Sequence, residues 1–330
     1  ALRQCAQGSS GPWAPLLFQG RSTKAHGKGE MGFIALPRSR PAERAIEFAL
    51  RAAAAVGIIT TVGIIAVLAV EALLFFAEVS PIDFFTGTRW SASIKPFAFG
   101  IIPLVVSTLM IAAIALAIAV PIGILAAVWM SEFASMRARN IVKPVLEVLA
   151  GIPTIVYGFF AITVITPLLK ATILPELGTF SALSAGIVVG ILILPLIASL
   201  TEDALRAVPR GLREGSYAMG ATRWETIRRV LLPAALSGIA AAIILAMSRA
   251  IGETMAVVLA AGTNPQLTID PTESVQTMTA FIVQISLGDT PADSLQFKAL
   301  FAVGATLFAM TFALNMISSW IVARYRNEYD

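Results

Sequence analysis

The sequence has very little of the chemistry on which most enzymes and metal proteins depend. Among its 330 residues there is one cysteine, Cys5, and one histidine, His26, and both precede the first long apolar run. Disulfides, Cys–His nucleophiles and histidine-based metal sites are therefore excluded from the body of the chain. The Gly-x-x-x-x-Gly-Lys-Ser/Thr loop that cradles nucleotide phosphates is also missing. We expect no catalytic residue, metal or cofactor here, and any ATP would be hydrolysed by another chain.

Charged residues are also scarce. They make up 13% of the sequence, whereas hydrophobic residues make up 57%. Ordinary soluble domains have about 25% charged and about 45–50% apolar residues. This composition predicts a polytopic membrane protein surrounded by lipid. The net charge of +4 does not indicate nucleic-acid binding, because Lys and Arg are scattered in short connections between apolar runs.

Long apolar runs define the expected architecture. A helix needs about 20 mainly apolar residues to cross a bilayer. Six runs qualify, so we predict an all-α fold with six transmembrane helices. The predicted spans are residues 52–76, 101–130, 145–169, 183–200, 234–261 and 299–322.

The distribution of basic residues predicts the orientation. Alternate connections are rich in Lys and Arg, notably residues 137–143 and 206–229, whereas the connection at 263–296 carries four acidic residues. Because basic loops stay in the cytoplasm, both termini are expected on the cytoplasmic side. Residues 1–44, rich in Gly, Ser, Pro and basic residues, are expected to form a poorly ordered cytoplasmic tail, and residues 45–330 the membrane domain.

The connection at residues 201–233 is too polar for the membrane and too patterned for a linker. Gly220 is expected to separate two short helices, and Thr222 with Glu225 has the form of a capping box at the start of the second. The first helix has an apolar side formed by Leu212, Tyr217 and Met219. Two interpretations stay open: the loop docks on a partner, or it folds back on the ends of its own spans.

The fifth predicted span contains "SRAIGETMAV", residues 248–257, with Arg249 and Glu253 four residues apart. On one helix these side chains share a face. They form either a buried salt bridge or part of a water-accessible path. The path is favoured because a buried pair often fails to recover its desolvation cost. Thr254 and Thr154 are candidate neighbours in that path, although Thr154 is equally well explained by an intrahelical hydrogen bond.

Four carboxylates lie near the predicted cytoplasmic ends of the spans. Glu132 and Glu147 are expected to be solvated. Glu202 and Asp203 are expected to pair with loop arginines, without a catalytic role.

The loop resembles the signature motif of the permease subunits of bacterial ABC importers. That motif reads Glu-Ala-Ala, three residues, Gly, nine residues, Ile or Val, one residue, Leu-Pro. Here it is Glu214, Gly215 and Ser216, then Gly220, Val230, Leu232 and Pro233, with every spacing kept. The resemblance implies that the loop is a coupling helix that seats in a groove of an ATPase subunit. The residues implied are Arg210, Leu212, Arg213, Glu214, Gly215, Ser216, Met219, Gly220, Ala221 and Thr222.

Three further segments resemble the permeases of the phosphate (Pst) importer: "AGIPTIVYGFF" (150–160), "LPLIASLTEDALRAVP" (194–209) and "SRAIGETMAVVLAAG" (248–262). "GETMAV" favours the PstC-type subunit over its PstA-type paralogue. The resemblance implies a type I, MetI-like permease in a bacterial inner membrane. The implied partners are a PstA-like permease, a PstB-like ATPase dimer that uses ATP and Mg²⁺, and a periplasmic PstS-like phosphate-binding protein.

Phosphate suits the chemistry of this charge pair. A guanidinium presents a planar fork to two oxyanion oxygens. Glu253 would accept a hydrogen bond from protonated phosphate and repel sulfate, or would only hold Arg249 and prevent overly tight binding. Another oxyanion such as phosphonate, molybdate or sulfate is the alternative substrate. An ATP-independent secondary transporter is a less favoured class, because no second copy of either motif occurs.

Overall fold

The computed structural model of the chain describes residues 41–92, 95–291 and 293–324. The predicted tail lies outside the described residues except for positions 41–44, which belong to the first helix. Residues 41–56, the first part of that helix, form one unit of the described chain, and the remainder from Gly57 forms the other. The tail therefore stays a prediction.

The described part of the chain is built from α-helices, short π-helical segments and one small hairpin. The hairpin pairs β1 (Trp90–Ser91) with β2 (Ala98–Phe99) in antiparallel register. Helices of the first half are α1 (Pro41–Phe76), α2 (Pro81–Thr86), α3 (Ile102–Val128), α4 (Met136–Ala150), α5 (Thr154–Phe160) and α6 (Thr166–Thr172). Those of the second half are α7 (Ala182–Ala207), α8 (Arg210–Ala218), α9 (Arg223–Thr226), α10 (Leu232–Ala234), α11 (Leu236–Gly252), α12 (Met255–Ala261), α13 (Met278–Leu287) and α14 (Leu295–Arg324). The π-helical segments are Trp129–Phe133, Ala161–Ile165 and Ile227–Leu231.

Five of the described helical stretches are long and apolar enough to cross a membrane. A sixth is obtained when Arg223–Ala234 and Leu236–Gly252, bent by 69° at their junction, are taken as one span. This confirms the predicted all-α membrane fold. Three spans extend beyond their predicted ends, because hydropathy marks the part that crosses lipid while helical hydrogen bonding continues into polar residues. They are α1, α7 and α14.

The third predicted span was wrong at its start. Residues 145–150 belong to α4, and the membrane-crossing stretch begins only at Thr154. Pro153 has no amide hydrogen to donate and disfavours helical backbone at Ile152, so it separates the two helices. The separated α4 presents Arg139 and Lys143 to α7 and leaves Ile141 and Val148 exposed.

Small residues bring the central helices close together. A Cβ at Gly186 would lie 2.5 Å from Ile114, and one at Gly190 would lie 3.1 Å from the Ala115 carbonyl oxygen, so α3 and α7 pack almost backbone to backbone. On α11, a Cβ at Gly238 would lie 2.5 Å from Cβ of Ala204. Helix α7 is therefore in close contact with both α3 and α11.

The connection between the last two spans contains a helix that the sequence interpretation missed. The connection at residues 263–296 carries four acidic residues, but it also contains α13, an apolar helix with half of its residues buried. Its ten residues are too short to cross a bilayer, so hydropathy alone did not mark it. Phe281 of α13 packs edge-on against Trp90, with ring centroids 4.8 Å apart. This aromatic contact joins α13 to the β hairpin.

Candidate coupling surface and translocation path

The predicted helical hairpin at residues 210–231 is present. Helix α8 ends at Ala218, and Gly220 follows with φ of +85°. This left-handed conformation suits glycine, which has no Cβ to clash with the backbone. Because nothing lies within 4 Å of a Cβ at Gly220, the backbone conformation rather than crowding requires the glycine.

The second helix of the hairpin is capped as predicted. The Glu225 amide donates to Oγ1 of Thr222 at 3.3 Å, and the Thr222 amide donates to Oε2 of Glu225 at 2.9 Å. These reciprocal bonds satisfy two amides that would otherwise lack partners. The capping box thus fixes the angle at which the chain leaves the Gly220 turn.

One departure from the family motif has a structural counterpart. Ser216 stands where the motif has alanine, and its Oγ lies 2.9 Å from Oγ1 of Thr226, a completely buried residue of α9. This hydroxyl pair joins the two helices of the hairpin. A polar side chain is therefore satisfied at a position where the family uses a small apolar one.

The hairpin leaves an open concavity of about 690 Å³ on its surface. Met219, which lines it, is 88% exposed. Predicted coupling residues that line it are Leu212, Gly215, Ser216, Met219, Gly220 and Ala221. Four further residues line the concavity: Gly211, Glu225, Arg229 and Val230.

The remaining predicted coupling residues divide into two groups. Arg210, Glu214 and Thr222 are exposed around the hairpin without lining the concavity. Arg213 instead turns inward and is only 22% exposed. Its Nη1 lies 3.1 Å from Oε1 of Glu132, whose side chain is 8% exposed. The expectation that Glu132 is solvated was therefore wrong, because Arg213 covers it; Glu147 is exposed as expected.

A network of ion pairs joins α4 to the C-terminal end of α7. Glu202 is completely buried and lies 2.9 Å from Nε of Arg139 and 3.0 Å from Nζ of Lys143. Asp203 lies 2.6 Å from the same Nζ. Burial acts to lower the pKa of Lys143, but its hydrogen bonds to Asp203 and Glu202 outweigh burial and raise that pKa above its ordinary value. The expected pairing with arginine is confirmed for Glu202, whereas Asp203 pairs with a lysine instead.

The charged motif of the fifth span lies at a break in the helix. Helix α11 ends at Gly252, Glu253 is extended with φ of −65° and ψ of 135°, and α12 begins at Met255. The prediction of one continuous helix through residue 261 was therefore wrong. Oγ1 of Thr254 donates to the Gly252 carbonyl at 3.0 Å, a local bond that competes with helical hydrogen bonding.

A distant residue stabilises this break. Oγ1 of Thr279, on the missed helix α13, donates to the Glu253 carbonyl at 2.9 Å. The amide of Met278 in turn donates to Oγ1 of Thr108 on α3 at 3.1 Å. The break is thus tied through α13 to the central pair of helices.

The break separates the environments of Arg249 and Glu253. Arg249 is exposed on α11, whereas Glu253 is 8% exposed and accepts a 3.4 Å hydrogen bond from the Ala256 amide. No ion pair joins the two residues in the described part of the chain. The assumption that they share one helical face was wrong. The salt-bridge interpretation finds no support in this geometry.

Thr154 and Thr254 each stand at the start of a short helix. Thr154 is the first residue of α5 and is half-buried, and Thr254 precedes α12. The two helices pack closely, because a Cβ at Gly158 would lie 2.9 Å from Leu259. The exposed surface of Gly252, with nothing within 4 Å of its Cβ position, leaves space beside the break.

Solved structures share this architecture. A bacterial ABC transporter that imports the acidic polysaccharide alginate superposes with a TM-score of 0.62 at 16% identity, covering 86% of this chain and 98% of that one. The MetNI methionine ABC transporter, in an inward-facing conformation, gives a TM-score of 0.52 at 20% identity, covering 69% of this chain and 95% of that one. The fold, with its helical hairpin between spans, is that of an ABC importer permease.

Sequence relatives define the family. The chain belongs to the binding-protein-dependent transport system inner membrane component family, whose model matches residues 119–327. A probable ABC transporter permease of Bacillus subtilis, YqgH, is 36% identical over 276 residues, covering 83% of this chain and 88% of the relative. The phosphate transport system permease PstC of Haemophilus influenzae is 33% identical over 260 residues, covering 73% and 81%. PstC of Mesorhizobium japonicum is 32% identical over 263 residues, covering 73% and 78%.

Proposed function

We propose that this chain is a permease subunit of an ATP-driven importer of inorganic phosphate. With a homologous PstA-like permease it would form the translocation path across a bacterial inner membrane. The observation that carries the proposal is its similarity to several PstC phosphate permeases over about three quarters of the chain. The substrate follows from those relatives, and the chemistry of the helix break supports it.

The hairpin is the proposed contact with the ATPase. It is compact, internally capped and joined by the Ser216–Thr226 hydroxyl pair, so it can be displaced as one body. Its concavity and the exposed Leu212, Tyr217 and Met219 offer apolar surface to a protein partner. ATP and Mg²⁺ belong to that PstB-like partner, and this chain is not an enzyme.

The helix break is the proposed element of the path. Broken helices inside membranes are tolerated where they line a cavity, and they carry the substrate sites of many transporters. Arg249 has no ion-pair partner among the described residues, so its planar fork is available to an oxyanion. Glu253 is the first residue after the end of α11. There its carboxylate would accept a hydrogen bond from protonated phosphate and repel a fully deprotonated anion. Thr254, the next residue, and Thr154, the first residue of α5, are proposed to contribute hydroxyl groups to the path.

We place both termini and the hairpin on the cytoplasmic side. Basic residues concentrate on α4 and the hairpin, whereas Asp270 and Glu273 lie on the connection between α12 and α13 at the other end of the spans. A periplasmic PstS-like binding protein would deliver phosphate to that second side.

Reconstitution tests the function. The chain is purified with candidate PstA-, PstB- and PstS-like partners, and uptake of labelled phosphate into proteoliposomes is measured with ATP, without ATP, and with a non-hydrolysable analogue. Uptake only with ATP is expected. Equal uptake in all three conditions would place the chain among ATP-independent carriers and overturn the proposal.

A further inference from the structure

Arg213 differs from the other arginines of the hairpin because it reaches the ends of two membrane spans. Nη2 donates to the carbonyl oxygen of Leu205, in the last turn of α7, at 2.6 Å. Nη1 lies 3.1 Å from Oε1 of Glu132, in the π-helical segment that continues α3. One rigid guanidinium therefore joins α8 to α3 and α7 at the same time.

The two halves of the hairpin are attached in different ways. Ile227 and Leu231, in its second half, pack in an apolar cluster with residues from the ends of α3 and α7. Helix α8 buries no residue of its own. Within the described ranges, Arg213 is the one α8 side chain that forms a hydrogen bond or ion pair with α3 or α7. Apart from the short chain connection to α7 and the contacts of α8 with the second half of the hairpin, α8 is therefore held to the spans by this one side chain.

The link is shielded from water. The Glu132 side chain is 8% exposed, the Arg213 side chain is 22% exposed, and Nε of Arg213 is buried without a partner. Separating such a pair leaves an uncompensated charge in a poorly solvated place, so the pair resists separation. Displacement of α8 is consequently accompanied by displacement of the ends of α3 and α7.

We propose that Arg213 is a positioning residue that transmits movement of the coupling helix to the membrane spans. The inference rests on the proposed function, since it requires an ATPase that moves α8. Close packing at Gly190 joins α7 to α3, and close packing at Gly238 joins α7 to α11, the helix that carries Arg249. Displacement of the hairpin is thus transmitted through these closely packed helices to the helix break at Glu253.

The test compares variants R213Q, E132Q and the double variant in the fully assembled complex. The quantities measured are ATP hydrolysed per phosphate transported and the amount of ATPase that co-purifies. The matched control is R137Q, which removes one exposed charge on α4, outside the hairpin, that forms no ion pair among the described residues. Glu132 lies away from the docking surface, so E132Q separates transmission from ATPase binding.

Both single variants are expected to retain the ATPase and to raise ATP consumed per phosphate by about fivefold or more. The double variant should resemble the singles, because one pair is being broken, and R137Q should match the wild type. An unchanged ratio in R213Q and E132Q would overturn the inference. So would loss of ATPase from R213Q together with normal coupling in E132Q, since Arg213 would then act in docking. A wild-type complex without ATP-driven uptake would instead refute the proposed function, before any variant is compared.

Discussion

Nε of Arg139 lies 2.9 Å from Oε1 of Glu202, a carboxylate whose side chain is completely buried. Lys143, one turn later on α4, reaches the other carboxylate oxygen at 3.0 Å. Two cations on one amphipathic helix therefore bind a single buried anion on α7. This arrangement fixes α4 against the membrane domain without apolar burial, because no residue of α4 is itself buried.

Replacing Glu202 with alanine is expected to destabilise the protein substantially. The substitution leaves two cations without their buried partner, a change that costs about 3 kcal/mol or more. The matched control is D203A, which removes the neighbouring carboxylate, 56% exposed, and is expected to cost about 1 kcal/mol or less. The thermal midpoint of the purified complex in detergent measures both. Equal midpoints for the two variants would contradict the assignment of Glu202 as the anchor.

Substitution of Gly220 tests the geometry of the hairpin turn. Valine is strained at φ of +85°, by roughly 1–2 kcal/mol, and should misdirect α9 relative to α8. ATP hydrolysis by the G220V complex is then expected to continue while phosphate uptake falls. Asparagine tolerates left-handed backbone and should retain most of the coupling. If G220V and G220N behave alike, the backbone conformation is not what the turn requires.

Removing the Arg249 guanidinium is expected to reduce transport strongly without disturbing assembly. The side chain is exposed and has no ion pair in the described part of the chain, so R249Q should change stability by about 0.5 kcal/mol or less. A charged hydrogen bond to an oxyanion contributes about 1.5–3 kcal/mol, which corresponds to roughly a ten- to hundredfold loss of uptake. Disassembly of the R249Q complex, detected by size-exclusion chromatography, would instead favour a structural role.

The hydrogen bond from Thr279 to the helix break should matter for both stability and transport. In T279V the Glu253 carbonyl loses its donor inside the protein, at a cost of about 1–3 kcal/mol. The control T306V removes a hydroxyl that only bonds the Ala302 carbonyl of its own helix. Thermal midpoint and initial uptake rate should fall in T279V and stay near wild type in T306V. A normal uptake rate in T279V would show that the break needs no support from α13.

Local features of the hairpin were predictable from the sequence. Gly220 and the Thr222–Glu225 capping box act over four residues, so their geometry depends on neighbours along the chain. Apolar runs likewise predicted the number of spans, because crossing lipid imposes a minimum length.

Features that depend on distant partners were not predictable in the same way. The helix break at Glu253 is stabilised by Thr279, which lies 26 residues further along the chain. The periodicity of "SRAIGETMAV" does not indicate that contact. Glu132 was expected to be solvated because its partner, Arg213, lies two spans away in the sequence. Pro153 indicates a helix boundary, but the apolar run continues across it, and for this reason the sequence was interpreted as one span.

The most direct test of the account compares oxyanions in one preparation. Initial uptake of labelled phosphate, sulfate and molybdate is measured in proteoliposomes that contain the complete complex, at saturating ATP. The account predicts that phosphate uptake exceeds that of either competitor by roughly a hundredfold or more, since the substrate's own proton is recognised by an acceptor. Sulfate or molybdate uptake as fast as phosphate uptake would contradict it.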